Sequence, residues 1–300
     1  MYKVLVLMST YNGQKYIERQ IDSILNQENV SIELLIRDDG SSDNTVEIIH
    51  KMSQVNKNIK LYCGNNLGFT YSFYDLINHA SGYDFYAFSD QDDIWHNNKI
   101  HDAIIKMSNE YILYASNMTI VDENLNKLGI LYSNFNYERN LLIKCFPFYN
   151  PFGCTIVWKD SLQRKLYNNL PNLRVPHDLW IHIVASFNGK VYIDQKPQIL
   201  HRIHGENACG IGRNFITRLK KLKKFYLSNF RITTDKTLSI AIEKYGLDNF
   251  SEIDKQFLQL ILMYKKSLLN KFKLYFSENF KSIKLQKRLE FLFLILVNKF

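Results

Sequence analysis

The chain has 300 residues, 46% of them hydrophobic and 22% charged, which is enough apolar content for a buried core and too little bias for disorder. With 12 glycines and 5 prolines it is neither linker-rich nor collagen-like, and its length fits one large domain or one domain plus an appendage. The net charge of +9 is unevenly placed: residues 1–212 hold 19 Lys and Arg against 22 Asp and Glu, and residues 213–300 hold 19 against 7, so an anionic partner, either a membrane surface or nucleic acid, is expected for the last third alone.

Residues 3–8 (KVLVLM) are an apolar run ending in Ser9 and Thr10. They read as a strand buried on both faces, not as a signal peptide. A helix is predicted from about residue 14 to 27, with Ile17, Ile21, Ile24 and Leu25 on one face. Residues 32–37 (IELLIR) form a second strand. The turn formers at 38–43 follow, and Asp43 or Asn44 can cap a helix running to Met52. Residues 59–63 are a third strand, 65–68 (NNLG) a turn, 71–80 a helix and 84–89 (DFYAFS) a fourth strand. Strand and helix alternate with short connections, which builds a parallel sheet with helices on both faces.

After Ser116 the pattern becomes mixed. Residues 118–121 and 127–131 form a hairpin around 122–126. Residues 147–158 hold turns and a strand, 177–187 a helix, and 191–193 and 198–202 two separate strands. From about Asn214 the chain is helical and basic. The longest purely apolar run, residues 291–297, is far short of the ~20 residues a spanning helix needs. Cys63, Cys145, Cys154 and Cys209 show no metal-binding spacing and read as reduced thiols of a cytoplasmic protein.

In open α/β sheets, ligands bind beyond the carboxyl ends of the strands. Three polar clusters stand there: residues 9–12, 38–43 and 90–93 (DQDD), two of them acidic. Asp90 and Asp92, directly after a strand, can be aimed by a tight turn at one hard divalent cation, Mg or Mn, that keeps positions open for phosphate. An isolated D-x-D also occurs as a solvated acidic turn or helix cap. The apolar strand before it and the other two clusters set this one apart.

Ser9-Thr10-Tyr11-Asn12-Gly13, Gln20-Ile21-x-Ser23-Ile24-Leu25-x-Gln27, Arg37-Asp38-Asp39-Gly40-Ser41-Ser42-Asp43 and Phe88-Ser89-Asp90-Gln91-Asp92-Asp93-Ile94-Trp95 resemble family 2 glycosyltransferases, most of all the bacterial rhamnosyltransferase-like members. The resemblance continues at His177-Asp178-x-Trp180 and at His201-Arg202-x-His204-Gly205-x-Asn207 and covers about residues 3–210. It implies an α/β GT-A fold, a Rossmann-like mixed sheet flanked by helices, as a catalytic domain of residues 1–212. Residues 213–300 are left as a basic, helical C-terminal region.

The same resemblance implies roles. Thr10 and Tyr11 would line the nucleoside pocket, and Asp39 would accept from the N3–H of uracil or thymine, with Asp38 as the neighbouring candidate. Asn66 and Gly68 form a turn on the nucleotide side. Asp90 would lie near ribose or donor sugar, and Asp93 near sugar or acceptor. Asp92 would ligate the metal, joined by His204. Asp178 matches the general base that takes the acceptor's proton; it can also be read as a helix cap, and His204 as a turn histidine. His177, Trp95 and Trp180 read first as packing residues. The chain departs from the pattern at His96-Asn97-Asn98-Lys99, where members often carry proline, and at His201, where many have an aromatic.

The activity this implies is inverting transfer of a sugar from a UDP- or dTDP-sugar, dTDP-rhamnose first, to a hydroxyl of a surface-polysaccharide or lipid-linked glycan acceptor. A sugar-1-phosphate nucleotidyltransferase would share the architecture but would carry a basic, Gly-rich first loop, and residues 9–13 have no cation before Lys15. A non-catalytic nucleotide-sugar binder is the competitor of another class. Residues 218–227 (RLKKLKKFYL) interleave cations with Leu, Phe and Tyr, as do 253–276 and 283–297. That mixture suits an anionic membrane interface on the inner face of the cell membrane, or a helical cap packed on the catalytic domain. No nucleic-acid-binding pattern is present.

Overall fold

The computed structural model describes residues 1–107, 110–131, 151–204, 233–281 and 285–300. These fall into two compact units, one of residues 1–131 and 151–204 and one of residues 233–281 and 285–300. Gly205, Asn207, Cys145, Cys209 and the basic stretch 218–227 lie outside the described residues, as does the whole segment 132–150.

In the first unit the elements run β1 (Lys3–Thr10), α1 (Ile17–Leu25), β2 (Ser31–Asp38), α2 (Thr45–Val55), β3 (Ile59–Cys63), α3 (Phe69–Asn78), β4 (Phe85–Ser89), β5 (Ile94–Trp95) and α4 (Lys99–Lys106). They continue with β6 (Tyr111–Val121), β7 (Lys127–Ile130), β8 (Ile156–Lys159), α5 (Asp160–Leu166), α6 (His177–Asn188) and β9 (Lys190–Arg202). The strands form one sheet in the order β3-β2-β1-β4-β8-β6-β9-β5, with β7 on β6. β3, β2, β1 and β4 are mutually parallel, while β8 runs antiparallel to both β4 and β6, so the sheet is mixed.

The chain lays β1, β2 and β3 outward in one direction and then crosses back to place β4 on the other side of β1. The loops after β1 and β4 therefore diverge, opening a crevice at the carboxyl ends of these two strands. Successive side chains of β4 alternate between faces. Phe88 meets Phe73 of α3 and Trp158 of β8, whereas Ser89 accepts from Gln20 of α1 at 2.8 Å. Helices α1 and α3 thus cover opposite faces. Ile17, Ile21 and Ile24 are fully buried as their spacing requires. Leu25, expected on the same face, is only partly buried at the helix end.

Residues 190–202 are one strand where two were expected. The polar stretch Asp194-Gln195-Lys196-Pro197 breaks the apolar pattern but not the pairing. β6 and β9 slip register around Asn117 and Pro197, and Asn117 Nδ2 donates to Gln195 O at 3.1 Å, so the sheet absorbs a proline that has no N–H to offer. Strand β5, which periodicity could not reveal in two residues, pairs Ile94 and Trp95 with Leu200 and Ile199 of β9. It ties the end of the 90–93 turn to the end of β9. At the start of α2, Asp43 rather than Asn44 serves the helix, accepting from Thr45 N at 3.0 Å.

The second unit, taken by itself, contains α7 (Thr234–Tyr245), α8 (Glu252–Met263), α9 (Leu268–Tyr275), α10 (Glu278–Lys281) and α11 (Leu285–Leu296). Ser251 and Ser267 cap α8 and α9 by accepting from Asp254 N and Asn270 N. Phe280 is fully buried among Phe257, Tyr275, Phe291 and Phe300. No described helix is long and apolar enough to cross a membrane.

Candidate active site

The three polar loops are laced together by their own side chains. Gln91 Oε1 accepts from Thr10 Oγ1 at 2.6 Å and from Tyr11 N at 2.8 Å, while its Nε2 donates to Tyr11 O at 3.1 Å. Asn12 N donates to Ser41 Oγ, and Asn12 Oδ1 accepts from Ser42 N. Asp38 spends its carboxylate on its own turn, accepting from Gly40 N, Ser41 N and Ser41 Oγ.

Between these loops and the start of α6 lies a cavity of about 370 Å³. Tyr11, Asp39, Asn66, Gly68, Asp90, Asp92 and Asp178 line it, with Ser9, Gln91 and His201; Phe69, Phe73, Phe152, Gly153 and His177 form an apolar side. Seven of the eleven residues singled out as nucleotide, metal or catalytic candidates thus share one cavity. Thr10, Asp38 and Asp93 do not line it. Thr10 and Asp38 hold loops, and Asp93 lies buried behind the acidic turn. His204 is not in the lining either, but its Nε2 is 2.7 Å from Asp92 Oδ2, and its ring packs against Tyr16 with centroids 4.9 Å apart.

Asp39 is held by three donors. Its Oδ1 accepts from Leu67 N at 2.9 Å and from Arg37 Nη1, and its Oδ2 accepts from Gly68 N at 2.9 Å. The 65–68 turn is therefore suspended from Asp39. Arg37 anchors the other side: Nε donates to Asp75 Oδ2 at 2.9 Å, Nη1 also to Ser72 Oγ, and Nη2 to Asn65 O. A Cβ on Gly64 would fall 2.6 Å from Arg37 Nη2, so a larger residue there would push the guanidinium out of this position.

Behind the acidic turn, His201 Nδ1 meets Asp93 Oδ1 at 2.8 Å, with both side chains buried. Burial opposes charge on both. The pair outweighs it, carrying the His201 imidazole up to about 9 and holding the Asp93 carboxyl below its usual range. For Asp90, the nearby His201 and Cys154 do not offset the cost of burial. Burial, then the charges of Asp93 and Asp92, push it up to about 7. Arg202 fixes the turn from below, with Nε donating to Asp92 O at 3.0 Å and Nη1 to Glu123 O at 2.6 Å. Lys99 is fully buried with its Nζ 3.1 Å from the Trp95 ring centroid, and burial lowers it to about 7.

Asp178 sits in the first turn of α6, where the helix dipole favours a carboxylate. Its Oδ1 accepts from Leu179 N at 2.7 Å. His177 beside it is buried and stacks on Phe73 at 4.0 Å. Neither ring nitrogen has a hydrogen-bond partner among the described residues, and burial lowers it to about 3. It is neutral. A Cβ on Gly153 would lie 2.6 Å from His177 Nε2, so this glycine makes room for the ring.

Sequence reasoning missed the supporting roles of Gln91, Arg202, His201 and Lys99 and the aromatic side of the cavity. Gln91 and the pair at 201–202 stand inside the quoted motifs, and a buried lysine four residues past Trp95 has no signature in a linear pattern.

The model for glycosyl transferase family 2 matches residues 5–165. Over 232 residues the chain is 33% identical to a dTDP-rhamnosyl transferase RfbG of Shigella flexneri, covering 72% of this chain and 78% of that one. It is 25% identical over 258 residues to a hyaluronan synthase of Pasteurella multocida, covering 84% of this chain but 25% of that protein. Among solved structures, TarS of S. aureus in complex with UDP superposes with a TM-score of 0.59 at 18% identity, over 96% of this chain and 78% of that one. A mannosyltransferase of Pyrobaculum calidifontis, in complex with GDP-Man and Mn²⁺, does so with a TM-score of 0.54 at 13% identity, over 99% and 86%. The mixed sheet flanked by helices is the GT-A-like fold of these proteins, and a chain with this fold, these acidic turns and a family match over more than half its length belongs to glycosyl transferase family 2 and is a glycosyltransferase.

Proposed function

We propose that the protein transfers a sugar from a dTDP- or UDP-sugar to a hydroxyl of a surface-polysaccharide or lipid-linked glycan, with inversion at the anomeric carbon. The observation that carries the proposal is the convergence of Asp39, Asp90, Asp92 and Asp178, from three separate segments, on one cavity. Residues 1–212 carry the chemistry, and residues 213–300 bring the enzyme to an anionic membrane surface on the cytoplasmic side. The similarity to a rhamnosyl transferase favours dTDP-rhamnose as donor.

In this reading the base rests by Asp39, whose carboxylate accepts from N3–H of uracil or thymine, beside Tyr11, Asn66 and Gly68. Thr10 and Asp38 shape the walls through their loops. Asp90 faces the ribose or donor sugar, and Asp93 acts through His201 and the Arg202 backbone. Asp178 takes the proton from the acceptor hydroxyl as that oxygen bonds to the anomeric carbon and the bond to the diphosphate breaks. One displacement inverts the centre, and no second carboxylate is needed as nucleophile.

The donor set fits a hard divalent cation. Asp92 and His204 present a carboxylate oxygen and an imidazole nitrogen 2.7 Å apart, and they would hold Mg or Mn. When bound, the metal neutralises the departing diphosphate. Purified protein offered a panel of dTDP- and UDP-sugars with Mn²⁺ is expected to release nucleoside diphosphate from dTDP-rhamnose first, and release from a UDP-hexose instead would replace the donor. Failure to bind any nucleoside diphosphate by calorimetry would overturn the reading.

A further inference from the structure

In the second unit, α9 and α11 are neighbours, joined where Lys271 Nζ donates to Leu296 O at 2.9 Å. Their inner faces are filled: Leu274, Tyr275, Leu294 and Ile295 are buried. Each helix nevertheless keeps an apolar stripe in water. Leu268, Leu269, Phe272 and Phe276 are 53–66% exposed, and Leu289 and Phe293 are 55% and 52% exposed. At 100° per residue the first four span about a 100° arc, and Leu289 and Phe293 are one turn apart. Phe272 and Phe276 lie parallel with centroids 6.3 Å apart. Large apolar side chains more than half exposed, gathered on two adjacent helices, mark an interaction surface.

Charge identifies what the surface meets. Residues 264–300 carry nine Lys and Arg against two Glu, and Lys266 and Lys273, next to the α9 stripe, are exposed. Protein interfaces are depleted of lysine at their centres. Aromatic and leucine side chains flanked by lysines are instead the composition of helices that lie in the headgroup region of anionic bilayers.

We propose that the α9–α11 face is a peripheral docking surface for an anionic phospholipid bilayer. Leu268, Leu269, Phe272, Phe276, Leu289 and Phe293 enter the boundary between headgroups and acyl chains, and Lys266 and Lys273 sit among the phosphates. It deepens the membrane role proposed for residues 213–300 and rests on the lipid-linked acceptor for its biological sense, but it shares no residue with the cavity, so the docking face and the catalytic reading fail separately.

The experiment is co-sedimentation of the full chain with vesicles of phosphatidylcholine containing about a third phosphatidylserine, beside pure phosphatidylcholine. Donor hydrolysis is assayed on the same samples. The wild type is expected to pellet with the anionic vesicles only, and less so as salt rises. Phe272→Ser with Phe276→Ser, and separately Lys266→Glu with Lys273→Glu, should each weaken binding roughly 10-fold or more, with unfolding midpoint and donor hydrolysis unchanged. Equal binding to neutral vesicles, no binding to either, or variants that bind like the wild type would each overturn the assignment. So would a wild-type dimer in sedimentation equilibrium that the Phe variants dissociate, since the face would then belong to a second copy of the chain. Loss of hydrolysis in the wild type with vesicle binding intact would sink the catalytic reading and leave the docking face standing.

Discussion

Arg37 and Asp39, two residues apart at the end of β2, form an ion pair in which both side chains are 3% exposed. Asp39 faces the cavity and carries the 65–68 turn, while Arg37 reaches behind it to Asp75, Ser72 and Asn65. A carboxylate so placed needs its partner, because removing one member of a buried pair costs about 3–5 kcal/mol. Arg37→Met is therefore expected to lose stability of that order in urea unfolding and to weaken UDP binding by at least about tenfold, the 1.4 kcal/mol equivalent. Arg37→Lys should fall between, having lost the planar fork. Wild-type UDP affinity in a stably folded Arg37→Met protein would show that Asp39 does not depend on the pair.

Asp178→Asn keeps the size and the first-turn position but cannot accept the acceptor's proton. Loss of a positioned general base should lower kcat by about 10²–10⁴, with nucleoside diphosphate affinity in calorimetry unchanged. A variant that retains more than about a tenth of wild-type kcat in transfer to a glycan acceptor would remove Asp178 from the role.

Asp92 and His204 are 112 residues apart in sequence and 2.7 Å apart in space. If they hold the metal, Mn²⁺ should raise UDP affinity in the wild type and do so much less in Asp92→Ala or His204→Ala. The double variant should be little worse than either single one, since residues acting as a unit are non-additive. Additive losses, or a Mn²⁺ response untouched by His204→Ala, would make His204 a turn residue packed on Tyr16.

The parallel half of the sheet was readable because β1 to β4 are short apolar runs separated by helical periods, and each ends in turn formers. The acidic loops were readable because polar residues there interrupt an apolar strand. In the second half the hairpin of β6 and β7 and the helix α6 were readable too, but two strands were not. β5 has two residues, too few for any period, and β9 looked like two strands because a polar, proline-containing stretch interrupts its apolar pattern while its neighbour β6 bends to keep the pairing. The adjacent pairs were also beyond the sequence. Asp38 and Asp39 differ only in which way each points, and alternation along the strand end turns one into its own loop and the other into the cavity. Asp92 and Asp93 divide in the same way, toward His204 and toward His201.

His177 supplies a prediction about acid. Its folded-state value of about 3 lies well below the ordinary 6.5, so between those limits the unfolded chain takes up a proton that the folded chain refuses. The sign follows: stability is unaffected by this residue above pH 6.5 and falls as pH drops through the window, by up to about 1.4 kcal/mol per pH unit. His182, buried and lowered to about 4, adds to the same slope. His177→Met removes one titrating group while filling the space against Phe73 with a flexible side chain. Its stability at pH 7 will differ from wild type for packing reasons, and that offset is not the readout. The readout is the slope of unfolding free energy between pH 6.5 and 4.5 in urea titrations, which should be shallower than wild type by about one proton's worth. Parallel slopes would mean that His177 accepts its proton in the folded protein, which requires a partner for a ring nitrogen and room to reach it between Phe73 and Gly153.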